Sequence, residues 1–324
     1  MIANENHPFA LDDPRFELVD GRTRPEFMLV GGMKCGSTSF ARYLSAHPQV
    51  KLRGPKEPHY WSWHRFPAKY QDFFVNELPL LDPGPDQSVS GEFSTSSLIH
   101  PLVPRRVQAN LPGLKIFVLL RNPVDRAYSH FIMSKRAGRE KECSFEDIVR
   151  REIDEVPELL AAHERGFLGT ADESNSCYSS VDGTPIRVVK HEQGWPDREL
   201  RDDLSLRDFY FQSYVFRSLY HDQLHRWLHL FPRQQLMIIR SERFFENSAD
   251  TMNAAAEFLG LEPFDFHKAD QLQRSWDAGA KKNARKMPQD YPVMDDATRN
   301  TLTDFFAPYN QQLYRLIDED YGWR

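Results

Sequence analysis

Phe27-Met-Leu-Val-Gly-Gly-Met-Lys-Cys-Gly-Ser-Thr-Ser39 is the stretch on which the reading of this chain turns. Phe27 to Val30 is an uninterrupted apolar run, the pattern of a strand covered on both faces. It empties into a loop with glycines at Gly31, Gly32 and Gly36. One lysine, Lys34, stands in the loop, followed by Cys35 and Gly36 and then by three hydroxyls, Ser37, Thr38 and Ser39. The spacing of Phe40, Tyr43 and Leu44 predicts a helix from Phe40 to Ala46. A strand, a glycine-rich loop and a helix start together make an anion site, because exposed N–H groups and the positive helix end both favour negative charge. The Walker order, Gly-Lys-Ser/Thr, is absent. Here Lys34 precedes the last glycine, so its ammonium meets a different point along a phosphate chain. A tight turn serving close packing alone would use the same glycines.

Further strands are expected at Gln49–Leu52, 88–94, Lys115–Leu120 and Leu236–Ile239, with helical patterns between them. Such alternation predicts an α/β fold with a P-loop-like central parallel sheet and helices on both faces. Ligands bind such sheets at the carboxyl ends of the strands. Residues 1–24 read as an irregular leader and 25–324 as one domain. Residues 171–203 are polar and interrupted by Gly183, Pro185, Gly194 and Pro196. An insert of that length is expected to bind an acceptor or act as a lid, a plain surface loop being the alternative. Asp295 to Asp320 is helical in pattern, with a break expected near Pro308, and Phe305, Phe306, Leu313, Leu316 and Ile317 are expected in the core.

The formal net charge is −6, from 41 basic and 47 acidic residues, which argues against a nucleic-acid partner or a polybasic membrane anchor. Any cationic site must therefore be local. The first 24 residues contain no apolar core of a secretory signal, and no stretch has the apolar length of a membrane span. Cys35, Cys143 and Cys177 are too few and scattered for a disulfide scaffold or a zinc site. These features lead to the expectation of a cytoplasmic protein with reduced thiols, a Cys143–Cys177 pair being the open alternative.

A second anion grip is expected where the run 115–120 ends in Arg121-Asn-Pro-Val-Asp-Arg-Ala-Tyr-Ser129. Asn122 and Pro123 suit a helix start. A guanidinium fork at Arg121 and a hydroxyl at Ser129 suit a phosphate monoester. The ordinary alternative is a salt bridge from Arg121 or Arg126 to Asp125. A third cluster, Ala280-Lys-Lys-Asn-Ala-Arg-Lys286, is either a solvated run or a loop closing over a polyanion.

In this order the pieces resemble the sulfotransferases that use 3′-phosphoadenosine 5′-phosphosulfate (PAPS). Lys34-Cys-Gly-Ser-Thr38 matches the family's 5′-phosphosulfate loop, and Arg121-Asn-Pro-Val-Asp-Arg-Ala-Tyr-Ser129 matches its 3′-phosphate element. Lys56-Glu-Pro-His-Tyr-Trp61 and the run Leu219–Pro232 are similar to segments of the glycosaminoglycan branch. Lys56–Trp61, Gly91–Ser94, Asn283–Arg285 and Phe305–Asn310 resemble in particular the chondroitin-type N-acetylgalactosamine 4-sulfate 6-O-sulfotransferases. One departure is Phe93, which stands where the heparan 3-O branch carries a lysine.

The resemblance implies PAPS as co-substrate, no metal, and a carbohydrate acceptor, with a small-molecule alcohol or amine as the alternative acceptor. It implies that Lys34 stabilises the leaving group, and that Cys35, Gly36, Ser37, Thr38 and Ser39 cradle the 5′ end. Arg121 and Ser129 select the 3′-phosphate, and Lys282, Asn283 and Arg285 close over the cofactor. Glu57 is the expected base, by its match to the catalytic glutamate of the heparan enzymes, and His59 is second. Tyr214, Arg217 and Tyr220 are expected in an acceptor cleft, and Leu224 and Trp227 in the core. Two rivals are an ATP-dependent P-loop kinase and a non-catalytic PAPS-binding protein. The kinase needs Gly-Lys-Ser/Thr and a strand-end aspartate for magnesium. The binding protein needs neither Lys34 nor Glu57.

Overall fold

The computed structural model describes residues 25–52, 57, 61–62, 88–140, 143–168, 178–179, 185–186, 213–267 and 293–323. The chain divides into two compact units, Met1–Arg121 with Leu224–Pro292, and Asn122–Gln223 with Val293–Arg324.

The first unit is built on a parallel sheet of β1 (Phe27–Gly31), β2 (Val50–Leu52), β3 (Val89–Phe93), β4 (Lys115–Leu120) and β7 (Leu236–Arg240), in the order β2-β3-β1-β4-β7. The expected strands are therefore present, with ends shifted by a residue or so. β1 lies at the centre, with Phe27 opposite Gly91 on one side and Lys115 on the other. Phe27 to Val30 are fully buried, as are Ile116 to Leu120, which is why these strands read as continuous apolar runs.

One face of the sheet carries an aromatic cluster. Phe27 meets Phe93 and Phe117 edge-on, with centroids 6.1 and 5.8 Å away. Phe40 of α1 (Ser37–Leu44) packs 5.1 Å from Phe117 and 5.7 Å from Phe244 of α6 (Ser241–Glu246). Gly91 makes this possible, because a Cβ there would run into the Phe27 ring. Burying one such ring contributes about 1.5–3 kcal/mol. The cluster thereby fixes α1 against the sheet, together with α7 (Ser248–Leu259), whose Met252 and Ala255 are fully buried. Trp227 and Leu224 of α5 (Tyr220–Leu230) are fully buried, as expected.

A cavity of about 340 Å³ opens at the amino ends of β1, β3 and β4, lined by Glu26, Val89, Asn110, Lys115 and Leu259 among others. Burial pushes the Glu26 carboxyl above its ordinary range, against the pull of the Ser90 N–H and Lys115. This is the edge opposite the one at which such sheets bind ligands.

The second unit holds α3 (Pro123–Arg136), α4 (Phe145–Leu168), a 3-10 turn (Phe216–Ser218) and α8 (Asp296–Ile317). Two-residue strands β5 (Tyr178–Ser179) and β6 (Pro185–Ile186) pair antiparallel inside the region expected as an insert. Asn122 caps α3 by accepting from the Val124 and Asp125 N–H groups at 3.0 and 3.3 Å, and Pro123 occupies the first turn. Its core is polar as well as apolar. Glu152 accepts from the N–H groups of Tyr214, Val215 and Phe216 at 2.9, 2.6 and 3.4 Å. Arg126, buried, donates to Ser218 Oγ at 2.6 Å and to the Tyr214 carbonyl.

Three expectations are corrected here. Tyr214, Arg217 and Tyr220 are buried in packing and hydrogen bonding and do not line an open cleft. α8 runs unbroken through Pro308. The proline forfeits one ladder bond, but the buried face of Phe306, Leu313, Tyr314 and Ile317 holds both halves in one helix. Phe305 and Leu316, expected in the core, are only half-buried.

Candidate functional site: a strand–loop–helix anion cradle

All of the loop residues singled out in the sequence lie at the carboxyl end of β1, in the first unit. The helix begins at Ser37, three residues before the predicted start, so the hydroxyl residues belong to its first turn. Its ladder opens with Phe40 N–H to Gly36 O at 2.9 Å. The N-cap, Gly36, has no side chain and sits in the left-handed region at φ 91°. The N–H groups of Ser37, Thr38 and Ser39 therefore lie beyond the reach of the helix's own ladder. Ser37 is buried, Ser39 half-buried and Thr38 exposed.

Two side chains hold the loop from behind through its carbonyls. Arg121 Nη1 donates to the Lys34 carbonyl at 3.3 Å. Ser241 Oγ, just past the end of β7, donates to the Cys35 carbonyl at 2.7 Å. In a trans peptide the carbonyl and the following N–H point opposite ways. Drawing the Cys35 carbonyl onto Ser241 therefore turns the Gly36 N–H to the side of that peptide away from Ser241. Cys35 is fully buried, and its N–H closes the turn on Gly32 O at 3.2 Å. Lys34 itself adopts φ 69°. A left-handed side-chain residue costs about 1–2 kcal/mol, and such strain persists where surrounding contacts over-determine it. Here those contacts are the Arg121 and Ser241 hydrogen bonds to the two successive carbonyls that follow it, those of Lys34 and Cys35.

The turn after β3 carries the second part of the site. Ser94 N–H donates to Leu29 O at 3.0 Å and Leu98 N–H to Val30 O at 2.6 Å, so the turn is bonded onto the end of β1. Gly31 leaves room for Leu98, whose Cβ would lie 2.5 Å from a Cβ at position 31. Glu57 joins this turn. Its N–H donates to Phe93 O at 2.9 Å, and its carboxylate accepts from the Thr95 N–H at 2.7 Å and from Thr95 Oγ1 at 2.9 Å. Glu57, like Lys34, has a left-handed backbone, φ 70°. Glu92 and Ser94 are both buried.

The structure thus brings Lys34, Cys35, Gly36, Ser37, Thr38, Ser39 and Arg121 into one loop assembly, and ties Glu57 to the neighbouring strand end. Ser129 is half-buried on α3 of the second unit, eight residues along the chain from Arg121. Asp125, the other candidate partner for the local arginines, accepts from Arg299 at 3.0 Å. His59, Lys282, Asn283 and Arg285 lie outside the described residues. Cys35 is buried and Cys143 half-buried, and Cys177 also lies outside the described residues. Among the described residues no three carboxylate, imidazole or thiol groups come together to hold a metal ion. Thr95 and Ser241 were not foreseen. Ser241 follows a predicted strand, Leu236–Ile239, and the strand-end rule could have found it; Thr95 has no comparable signal.

The loop, its two carbonyl braces and its positive end define a class, the α/β proteins that bind an anion on a strand–loop–helix corner. The chain belongs to the sulfotransferase domain family, whose model matches residues 24–291. It is 24% identical to the membrane-associated sulfotransferase kil1 of Dictyostelium discoideum, over 93% of this chain and 66% of that protein. It is 24% identical to human heparan sulfate glucosamine 3-O-sulfotransferase 6, over 94% of this chain and 75% of that protein. Against human carbohydrate sulfotransferase 15 the values are 23%, 94% and 55%. Among solved structures, a sulfotransferase from Alicyclobacillus acidocaldarius superposes with a TM-score of 0.60 at 25% identity, covering 93% of this chain and 99% of that one.

These relatives overturn the expectation of a cytoplasmic location, since one matched along nearly the whole chain is membrane-associated. The expectation rested on a polar stretch at 1–24 and on scattered cysteines, and neither reports where a chain works. Among the described residues no helix is long and apolar enough to cross a membrane.

Proposed function

We propose that this protein transfers a sulfuryl group from PAPS to a carbohydrate hydroxyl, and that residues 25–324 form one sulfotransferase domain. The observation that carries the reading is the braced loop: Lys34 in a left-handed conformation, its carbonyl on Arg121 and the next carbonyl on Ser241. That arrangement suits a phosphosulfate, because helix-start N–H groups and a lysine in the same loop both favour an anionic leaving group. The family match over residues 24–291 supports the reaction class.

Sulfuryl transfer asks a protein for alignment and charge stabilisation more than for covalent chemistry, as phosphoryl transfer does. A bond forms between the acceptor oxygen and sulfur while the bond from sulfur to the phosphate oxygen breaks. Adenosine 3′,5′-bisphosphate leaves with the electron pair, and the acceptor proton passes to Glu57. Lys34 and the N–H groups from Gly36 to Ser39 offset the charge on the departing phosphate. Arg121 and Ser129 hold the 3′-phosphate, a reading supported by their motif and spacing. Lys282, Asn283, Arg285 and His59 keep the roles that the family resemblance implies.

The names of the relatives, heparan sulfate glucosamine 3-O-sulfotransferase 6 and carbohydrate sulfotransferase 15, support a sugar acceptor. The motif likeness to the chondroitin-type 6-O enzymes makes sulfated chondroitin the first acceptor to try. The test is incubation with labelled PAPS or ATP alongside chondroitin sulfate, desulfated heparan sulfate and a panel of small alcohols and amines, read by mass spectrometry. Sulfate gained by a glycan from PAPS is the expected result. ATP consumption refutes the reading, and sulfate on a small alcohol or amine alone refutes the acceptor class. Glu57→Gln should abolish turnover while adenosine 3′,5′-bisphosphate still binds; near-normal turnover removes Glu57 as the base.

A further inference from the structure

The Glu57 carboxylate takes both of its described hydrogen bonds from a single residue. Thr95 donates its N–H to Oε2 at 2.7 Å and its hydroxyl to Oε1 at 2.9 Å. We propose that Thr95 is a positioning residue for sulfuryl transfer, its two-point grip setting the Glu57 carboxylate at the carboxyl end of β3, one strand from the Lys34 loop. The inference rests on the reading of Glu57 as the base.

Two observations carry it. The grip is rigid at its own root, since Thr95 is 5% exposed and sits in the turn whose Ser94 and Leu98 N–H groups bond to Leu29 and Val30 of β1. β1 is the strand that delivers Lys34, so base and lysine are both referred to one strand. The grip is also directional. Two donors on one residue, each to a different carboxylate oxygen, fix rotation about the last side-chain bond, which a single donor leaves open. Efficient proton removal needs the base within hydrogen-bond reach of the acceptor hydroxyl, and misplacement by about 1 Å costs on the order of 100-fold in rate.

Thr95→Val removes the hydroxyl and keeps both the backbone N–H and the shape. It should lower kcat about 10- to 100-fold, the value of one hydrogen bond to a charged group, leave KM for PAPS unchanged, and be rescued by Thr95→Ser. Should valine disturb folding, Thr95→Ala removes the same hydroxyl without a branched side chain and is read in the same way. A second arm needs no acceptor: affinity for adenosine 3′,5′-bisphosphate, read by calorimetric titration, should be the same in Thr95→Val as in wild type. A loss of that affinity, or kcat within twofold of wild type while Glu57→Gln is inactive, overturns the role of Thr95. Turnover retained in Glu57→Gln fails the base reading instead, and with it the positioning role.

Discussion

Replacing Gly36 by alanine tests the cradle at its narrowest point. Gly36 caps α1 at φ 91°, ψ 12°, and a Cβ built there lies 2.8 Å from Phe245 Cζ and 2.9 Å from Cε2. Two costs follow. The left-handed backbone costs an L-residue about 1–2 kcal/mol. The clash adds a second, smaller amount, because Phe245 is 55% exposed and its ring can swing toward solvent. Together they come to about 2 kcal/mol, which in a chain of this size lowers Tm by about 3 °C. Any relaxation of φ toward the ordinary helical region also rotates the Gly36 N–H out of the cradle. Affinity for adenosine 3′,5′-bisphosphate should therefore fall more than tenfold, since a charge-assisted hydrogen bond contributes about 1.5–3 kcal/mol. Calorimetric titration and a thermal melt read the two effects separately. The double variant Gly36→Ala, Phe245→Ala divides them further: it removes the clash and leaves the backbone cost, so Tm should recover only in part and affinity hardly at all. Full recovery of affinity in the double variant would refute the backbone argument. Unchanged binding in the single variant would refute the assignment of the Gly36 N–H to the site.

Ser241→Ala leaves the Cys35 carbonyl without its 2.7 Å donor in a buried setting. An unmet buried acceptor costs about 1–3 kcal/mol, so affinity for adenosine 3′,5′-bisphosphate should drop about tenfold; unchanged affinity means the brace does not shape the loop. In the second unit, burial raises the Glu152 carboxyl to about 7, against the lowering pull of the Tyr214, Val215 and Phe216 N–H groups and of Arg126. A raised carboxyl favours the protonated folded state, so its stabilising contribution is full below the ordinary value of 4.5 and is lost as pH climbs toward 7. Urea unfolding at pH 5 and pH 8 should show a loss on the order of 3 kcal/mol from this group, absent in Glu152→Gln; an equal slope in that variant rules out Glu152 as its source.

Much of the site could be read from local pattern because its physics is local. A buried strand declares itself by a continuous apolar run, and Phe27–Val30 and Ile116–Leu120 are buried over their whole length. The glycine positions, the lysine and the hydroxyls are chain neighbours, so their meeting in one loop needs no tertiary information. The helix start was misplaced by three residues, since Ser37, Thr38 and Ser39 are weak helix formers that succeed here because a first turn can use an anion and its own hydroxyls. Pro308 misled in the opposite sense: one lost bond was outweighed by a buried face that local propensity does not report.

The sequence by itself determined the alternating α/β order, the anion loop after β1 and the family to which the chain belongs. Each of these is written in residues close together along the chain. Only the tertiary structure decided what makes the loop a cradle. Arg121 reaches Lys34 across 87 residues, Ser241 reaches Cys35 across 206, and Thr95 grips Glu57 across 38. Such contacts arise from strand order, because the β2-β3-β1-β4-β7 arrangement sets the carboxyl ends of β3, β4 and β7 around that of β1. No periodicity in the chain encodes which hydroxyl will face which carbonyl once those ends are side by side.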